Sequence, residues 1–402
     1  VGNETHYSFN VTGTTGGVAF TISNPGATVR DALRAGTRRT SLRDFGKLAR
    51  QKSLAAASRI TSQSIGELTS PYFDTFVMYA LASELSTNAR TCDGTGTTQV
   101  SKTFTLTGLG ANEQGQLGYG PGSASLTPQQ SSYNVMVEPG TYDWMAAFGP
   151  TPTFPDLSTN WTHYRLGRGE AAPGGTVAIN RTGAPAFVTT PFTVTGGTSG
   201  SFYTYVQILE GANGSILALP LGSPIGTTAS GNLLFLAAND RLSTDMNSVG
   251  IINTELSGTI IQSRSTFRYF GANPPASTTF PLPAAVPAFT VTQVAGAPVT
   301  TWQASGQIPA DYQGATSVVE ASFQGGGETT LYTISATRGW LTANNMTTSY
   351  TLAGPNLPGF LSQWAPAAPL VDAQVIMFGS NLNTVPTAGT VFNIGLRLVE
   401  SP

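Results

Sequence analysis

Residues able to do chemistry are scarce in this chain. It contains two histidines, His6 and His163, and one cysteine, Cys92. A Ser-His-Asp triad needs a positioned histidine, and no G-x-S-x-G turn accompanies either one. A structural or surface role is the stronger reading for both. Cys92 and two distant histidines give no zinc-ligand spacing, and one cysteine allows no intrachain disulfide. The glycine-rich pieces Gly196–Gly200 and Gly325–Gly327 lack the Lys-Ser/Thr of a phosphate-binding loop and read as turns. Asp240 and Asp245 flank Arg241 and form the one carboxylate pair of interest. Hard cations such as Ca²⁺ favour clustered carboxylate and carbonyl oxygens. A lone intrachain Ca²⁺ site is not expected from two carboxylates. A site completed by carboxylates from neighbouring copies is the metal chemistry they would support, and the plain alternative is loop solvation with an Arg–Asp pair.

The strongest electrostatic feature is a basic run. Arg30, Arg34, Arg38, Arg39, Arg43, Lys47, Arg50, Lys52 and Arg59 stand against only Asp31 and Asp44, so nearly half of the 19 basic residues occupy thirty positions. Closely spaced cations neutralise phosphates and release counterions, which gives sequence-independent nucleic-acid binding. No aromatic stacking platform accompanies the run, so backbone contact is expected rather than base recognition. Arg34, Arg38, Arg39, Arg43, Lys47, Arg50 and Lys52 are the candidate contacts. The alternatives are a solvated helix face and an anionic membrane surface.

The elements that must carry these residues are mostly strands. Only 10% of the 402 residues are charged, whereas glycine (46) and proline (26) are abundant, a composition of many short strands joined by turns. With 40% apolar residues the chain is not disordered. Low charge also leaves surface that buries readily against copies of itself. Residues 1–28 read as an extended arm with a strand near Val18–Ile22. Residues 29–59 hold the best helical stretch. There Ser41 and Asp44 fit a capping box, Leu42, Phe45 and Ala49 share one face, and Arg43, Lys47 and Arg50 share the other. Phe76–Leu85 is expected as a short helix. Period-two alternation then predicts strands from Val100–Leu106 and Tyr133–Val137 through Ala373–Phe378 and Val391–Val399. No fixed-period repeat is visible, which disfavours a propeller or solenoid. No apolar run reaches the length of a membrane span. Six N-x-Ser/Thr sequons occur, at Asn3, Asn10, Asn160, Asn180, Asn213 and Asn345, and the Ser/Thr-rich composition explains most of them by chance. Starting at Val1 suggests cleavage or numbering from a mature end.

Three stretches together resemble the shell domain of icosahedral positive-strand RNA virus coat proteins of the nodavirus and tetravirus kind. They are Met78–Leu106 with Ala89-Arg-Thr-Cys-Asp93, Arg241–Ile261, and Asp372–Ile376 with Phe392–Pro402. The family's Ile-Pro pair is absent after Arg90. The resemblance implies an all-β protein: a single jelly-roll β-sandwich shell domain over 61–402, preceded by an interior-facing arm over 1–60 with a short basic helix. It implies that Arg241–Ile261 holds two middle strands with a turn around Glu255 to Gly258, and that the third stretch is the last strand pair. Residues 150–235 and 275–370 match nothing in the family and are expected as long loops or an inserted protrusion. The implied function is self-assembly of many copies into a closed shell, with the basic segment touching viral RNA, in a virion assembled in the host cytoplasm. The host receptor is left open. Some relatives cut themselves and release a C-terminal helix; the chain stops after its last strand, so no self-cleavage residue is carried over. The main alternative is a secreted bacterial surface protein of β-sandwiches that binds carbohydrate or a protein partner. A β-sandwich hydrolase would need a carboxylate pair in a cleft, and no spacing singles one out.

Overall fold

In the computed structural model the described residues are 17–23, 73–80, 99–151, 161–214, 216–222, 229–294, 301–314, 317–325, 330–354, 370–380 and 387–400. The candidate cations from Arg34 to Lys52, and the capping box at Ser41, lie outside them.

The chain is nearly all β, built of β-sandwich sheets. Strands β1 (Gly17–Ser23) and β2 (Phe73–Ala80) come first. The helix expected at Phe76–Leu85 is corrected here: Phe73-Asp-Thr-Phe-Val-Met-Tyr-Ala80 is a strand, paired antiparallel with β1 and parallel with a later strand. Its β-branched and aromatic residues favour a pleated neighbour over a helix.

Three sandwiches follow. The first uses β3 (Val100–Thr107), β4 (Glu113–Tyr119), β5 (Gly122–Leu126), β6 (Ser132–Val137), β7 (Gly140–Pro150), β8 (His163–Ala172) and β9 (Val177–Asn180). Its sheets run β6-β3-β9 and β5-β4-β7-β8. The second uses β10 (Val188–Thr195), β11 (Phe202–Glu210), β12 (Ile216–Gly222), β13 (Ala229–Phe235), β14 (Met246–Ser257), β15 (Ile260–Phe270) and β16 (Thr278–Pro281). Its three-stranded sheet runs β13-β10-β16, and its other strands run β12-β11-β14-β15. These two connection patterns are identical strand for strand, down to a last strand parallel to the first.

The third sandwich uses β17 (Thr290–Val294), β18 (Thr301–Gln307), β19 (Val318–Gly325), β20 (Thr330–Thr337), β21 (Ser349–Ala353), β22 (Leu370–Ser380) and β23 (Val391–Glu400), with one short helix, α1 (Arg338–Ala343). The order β20-β19-β22-β23 repeats the four-stranded plan, and β21 again pairs with the strand that opens it, β18. The remaining edge of β18 is taken by β17, antiparallel and from upstream.

Each sandwich has its own core fed from both layers: Phe104, Val135 and Trp144 in the first, Phe192, Tyr205 and Ile251 in the second, Trp302, Phe323 and Val375 in the third. The expected single sandwich is thus three in succession. Residues 150–235 and 275–370 supply many of their strands. The strand order does not single out a jelly roll.

Alternation explains the strands that face one core. In β6, Tyr133, Val135 and Val137 are buried and the residues between them exposed. In β7, Asp143 through Gly149 are all buried, because Trp144, Ala146 and Phe148 face the first core while Met145 and Ala147 face the second sandwich. The expected middle strand pair is the β14–β15 hairpin, closed by the two-residue turn Gly258-Thr259. Gly258 has φ +60°, which a tight hairpin demands and glycine adopts without a Cβ clash. The expected last pair is β22–β23.

Candidate functional site at the first junction

Asp240 and Asp245 both lie where the first and second sandwiches meet, but on different partners. Asp245 is buried in the turn before β14. Its two carboxylate oxygens accept from the Arg168 guanidinium of β8 at 2.9 and 2.7 Å, and one also accepts the Leu242 N–H at 2.9 Å. This fork-to-fork geometry is the strong form of a charge-assisted pair. Asp240 sits in a 3₁₀ turn, where it accepts the Tyr164 hydroxyl at 2.5 Å, and its backbone carbonyl accepts from Arg168 at 3.0 Å. The Arg–Asp pair is therefore real, but the arginine is Arg168. Arg241 instead donates to the Leu236 carbonyl.

A third carboxylate completes the arrangement. Asp143 of β7 is fully buried and accepts from Arg168 at 2.9 Å, the Gly169 N–H at 3.0 Å and the Asn213 side chain at 2.7 Å. Burial alone would raise this carboxyl; the bonds from Asn213, Arg168 and Gly169 outweigh it and hold the group below its usual range. Burial likewise opposes the charge on Arg168, yet Asp245 and Asp143 raise its pKa. Burial and the Asp240 bond push Tyr164 up to about 12. One cation thus ties two strands of the first sandwich to the turn that opens β14 in the second.

Around this clamp the junction is apolar. Met145, Trp161, Tyr164 and Phe187 pack against Leu209, Leu217, Leu219 and Leu234. Trp161 donates its indole N–H to the Pro220 carbonyl at 2.9 Å. Gly118 is required at the contact: a Cβ there would lie 2.2 Å from the Ile216 carbonyl oxygen. Beside the clamp, Tyr164–Arg168, Pro185, Asn239, Asp240 and Leu242 line an open groove of about 340 Å³.

Within one chain the two carboxylates do not converge on a common point. Asp245 places both oxygens on Arg168, and Asp240 accepts from Tyr164. Among the described residues no group of three or more His, Cys, Asp or Glu side chains is placed to share a metal ion. His163 opens β8, with Thr162 Oγ1 at 2.8 Å and Arg181 Nη2 at 3.2 Å. Burial and then Arg181 lower its pKa, which favours the neutral ring.

The clamp residues Asp143 and Arg168 were not anticipated from sequence. The available signal was Asp143 itself, a lone carboxylate inside the apolar run Tyr142–Phe148, which is affordable only with a buried partner. Lys102 of β3 is a second such residue: it is 2% exposed and donates to the Ala171 carbonyl at 3.0 Å, with Glu170 at 3.5 Å.

No protein-family model matches the chain, and no curated protein matches it significantly.

Proposed function

We propose that this chain is a non-catalytic binding protein of the secreted, surface-displayed kind, built from three consecutive β-sandwiches, with the groove at the first junction as its ligand-contacting site. The observation that carries the reading is the repetition of one strand plan: the same four-stranded order appears in all three sandwiches. Tandem modules with apolar, interlocked junctions hold a surface at a fixed distance and orientation, which suits binding better than chemistry. The groove supports the site assignment. Its volume falls within the usual range of ligand sites, and it presents Asn239 and the exposed Leu242 beside Asp240, whose carboxylate already accepts the Tyr164 hydroxyl. A carbohydrate or a polar peptide loop fits this lining.

A second reading keeps a specific observation of its own. Nine cations within residues 30–59 favour a self-assembling coat protein that contacts RNA. Negative-stain electron microscopy of the purified chain, with absorbance at 260 and 280 nm on the same fraction, separates the two. A monodisperse, nucleic-acid-free monomer that scores on a glycan or peptide array, and loses the signal in Asn239→Ala, is the expected result. Uniform closed particles containing nucleic acid would overturn it in favour of the coat reading.

A further inference from the structure

The strand that closes the four-stranded order has the same place in all three sandwiches: β8 in the first, β15 in the second and β23 in the third. Strands β15 and β23 spend their outer edges on each other, antiparallel over nine residue pairs. The matching edge of β8 has no such partner, because β8 ends the order β5-β4-β7-β8. An edge of this kind presents unpaired N–H and C=O groups, which template a further strand.

Only the start of the β8 edge is covered. There the Tyr164 N–H donates to the Pro185 carbonyl at 3.0 Å and the Phe187 N–H donates to the Thr162 carbonyl at 3.0 Å, an isolated antiparallel bridge between His163 and Ala186. The bridge cannot extend, because Pro185 has no N–H to return to the Tyr164 carbonyl. Upstream of Pro185 the chain turns away: the Ala184 N–H donates to the Arg181 carbonyl, and Arg165 holds this loop by the Asn180 and Thr182 carbonyls, each at 2.7 Å. Hydrogen-bonding residues alternate along an antiparallel strand, so Leu166, like Tyr164, aims its N–H and C=O away from β7. Among the described residues no backbone bond fills the Tyr164 carbonyl, the Leu166 N–H or the Leu166 carbonyl on this side. Both residues line the groove at the first junction.

We infer that the ligand of this groove is an extended acidic peptide that adds to the outer edge of β8 as a further strand. The inference rests on the groove being the ligand-contacting site, and it names the class and pose of the ligand. Strands β15 and β23 supply the precedent, since each completes the sheet of the other in this way. The bridge at Ala186 shows that β8 itself accepts extended chain. The open stretch is short, because the β7–β8 ladder shifts register between Tyr142 and Trp144, just past Gly167. A short peptide fills it, whereas two copies of the chain joined along β8 would share little ladder. Side chains set the polarity. Arg165 donates to two carbonyls and has no carboxylate partner among the described residues, while Arg168 in the same groove is matched by Asp143 and Asp245. An acidic side chain on one face of the added strand meets Arg165. Successive side chains of a strand point to opposite faces, so the next one lies on the Tyr164 side. Asp240 holds the Tyr164 hydroxyl there, and the exposed Leu242 beside it offers an apolar contact.

Peptide selection on the full chain tests the inference, with a phage-displayed library of random linear peptides as the probe and the winning sequences resynthesised. The winners should place Asp or Glu next to an apolar residue and lose binding in Asn239→Ala and Leu242→Asp. Strand addition also requires a response of period two along the peptide. N-methylating one alternate set of its amides should weaken binding at least about tenfold, and N-methylating the amides between them should change it no more than about twofold. The Leu166 N–H should exchange with solvent at least about tenfold more slowly in the complex than in the free chain. Both readouts leave the protein unaltered, so neither depends on a variant that folds. Winners that need Asn239 but show no alternation under N-methylation would overturn strand addition while keeping the groove as the binding site. Winners indifferent to both Asn239→Ala and Leu242→Asp would place the ligand elsewhere and overturn both readings. A selection without winners would overturn the peptide, and a glycan-array signal lost in Asn239→Ala would then give the groove to carbohydrate. A concentration-dependent dimer that protects the Leu166 N–H without any peptide would overturn the inference in favour of a second copy of the chain.

Discussion

The two junctions of this molecule join equivalent modules by opposite means. Between the second and third sandwiches the link is main chain: β15 and β23 align over nine residue pairs, and the sheet runs on without a seam. Between the first and second the link is chiefly side chain: an apolar patch, one glycine-sized contact and the Arg168 clamp, with a single backbone bond among the described residues, from the Ile216 N–H to the Gly120 carbonyl at 3.1 Å, beside them. A ladder of backbone hydrogen bonds depends little on any one side chain. A clamp concentrates the link in a few groups, and its worth depends on all of them staying paired. The first junction should therefore yield to a single substitution or to pH.

The largest effect is expected from Arg168→Met. It keeps the apolar stem but leaves Asp143, fully buried, and Asp245 without a cation. Breaking a buried pair from one side costs about 3–5 kcal/mol. Because Arg168 is itself 25% exposed, the lower end of that range is expected. Urea denaturation should show the first sandwich unfolding ahead of the other two, in place of one shared transition. Adding Asp143→Asn and Asp245→Asn to Arg168→Met should recover most of the loss, since the uncompensated charges are gone. Failure of the triple variant to recover would mean that Arg168 acts by packing and not by charge.

What could be read in advance follows the same division. Strands with a clean period of two, such as Tyr133–Val137, and the hairpin that turns at Gly258 were legible, because one buried face imposes alternation. Strands such as Glu113–Tyr119 and His163–Ala172 were not. Their residues Glu-Gln-Gly-Gln-Leu-Gly-Tyr and His-Tyr-Arg-Leu-Gly-Arg-Gly-Glu-Ala-Ala carry glycines and charges that blur the alternation: Glu113 pairs with Arg181 and Glu170 with Lys102 inside the first sandwich, and Arg168 with Asp245 across the junction. The threefold repetition left no fixed period, because the opening strands start at Val100, Val188 and Thr301, at unequal intervals, and share topology rather than residues. Asp240 and Asp245 were found as neighbours in sequence, whereas the partner that separates their roles, Arg168, comes from another module.

Acid should sharpen the contrast. Asp143 titrates below the usual carboxylate range in the folded protein. A carboxyl depressed by folding contributes stability that is fully present above its unfolded value, near 3.9, and is lost as pH falls through the folded value. Lowering the pH below about 4 should therefore loosen the first junction before the β15–β23 ladder responds. Trp161, bonded to Pro220 across that junction, supplies the fluorescence probe. In Arg168→Met the dependence should reverse. There Asp143 is a buried charge without a cation, so protonating it relieves the penalty, and the deficit against wild type should shrink as pH falls. A deficit that stays constant with pH would place the coupling elsewhere than Asp143.

The smallest effect is expected at Asp240, and it separates the clamp from a metal site. Asp240 accepts one hydroxyl, from Tyr164, while Tyr164 in turn accepts the Ala237 N–H at 2.8 Å. Asn at this position keeps an oxygen for that hydroxyl, so Asp240→Asn should cost no more than about 1 kcal/mol. The tyrosine should report the change more clearly than stability does. Burial, the leading cause of its elevation to about 12, remains in the variant, but the carboxylate's share is removed. A 295 nm titration should find Tyr164 lowered yet still above an ordinary phenol. Millimolar Ca²⁺ should leave the melting temperature of both forms unchanged, because Asp245 already holds a guanidinium across both of its oxygens. A Ca²⁺-dependent rise in wild type that disappears in Asp240→Asn would show instead that Asp240 draws further oxygens from outside the described residues or from another copy of the chain.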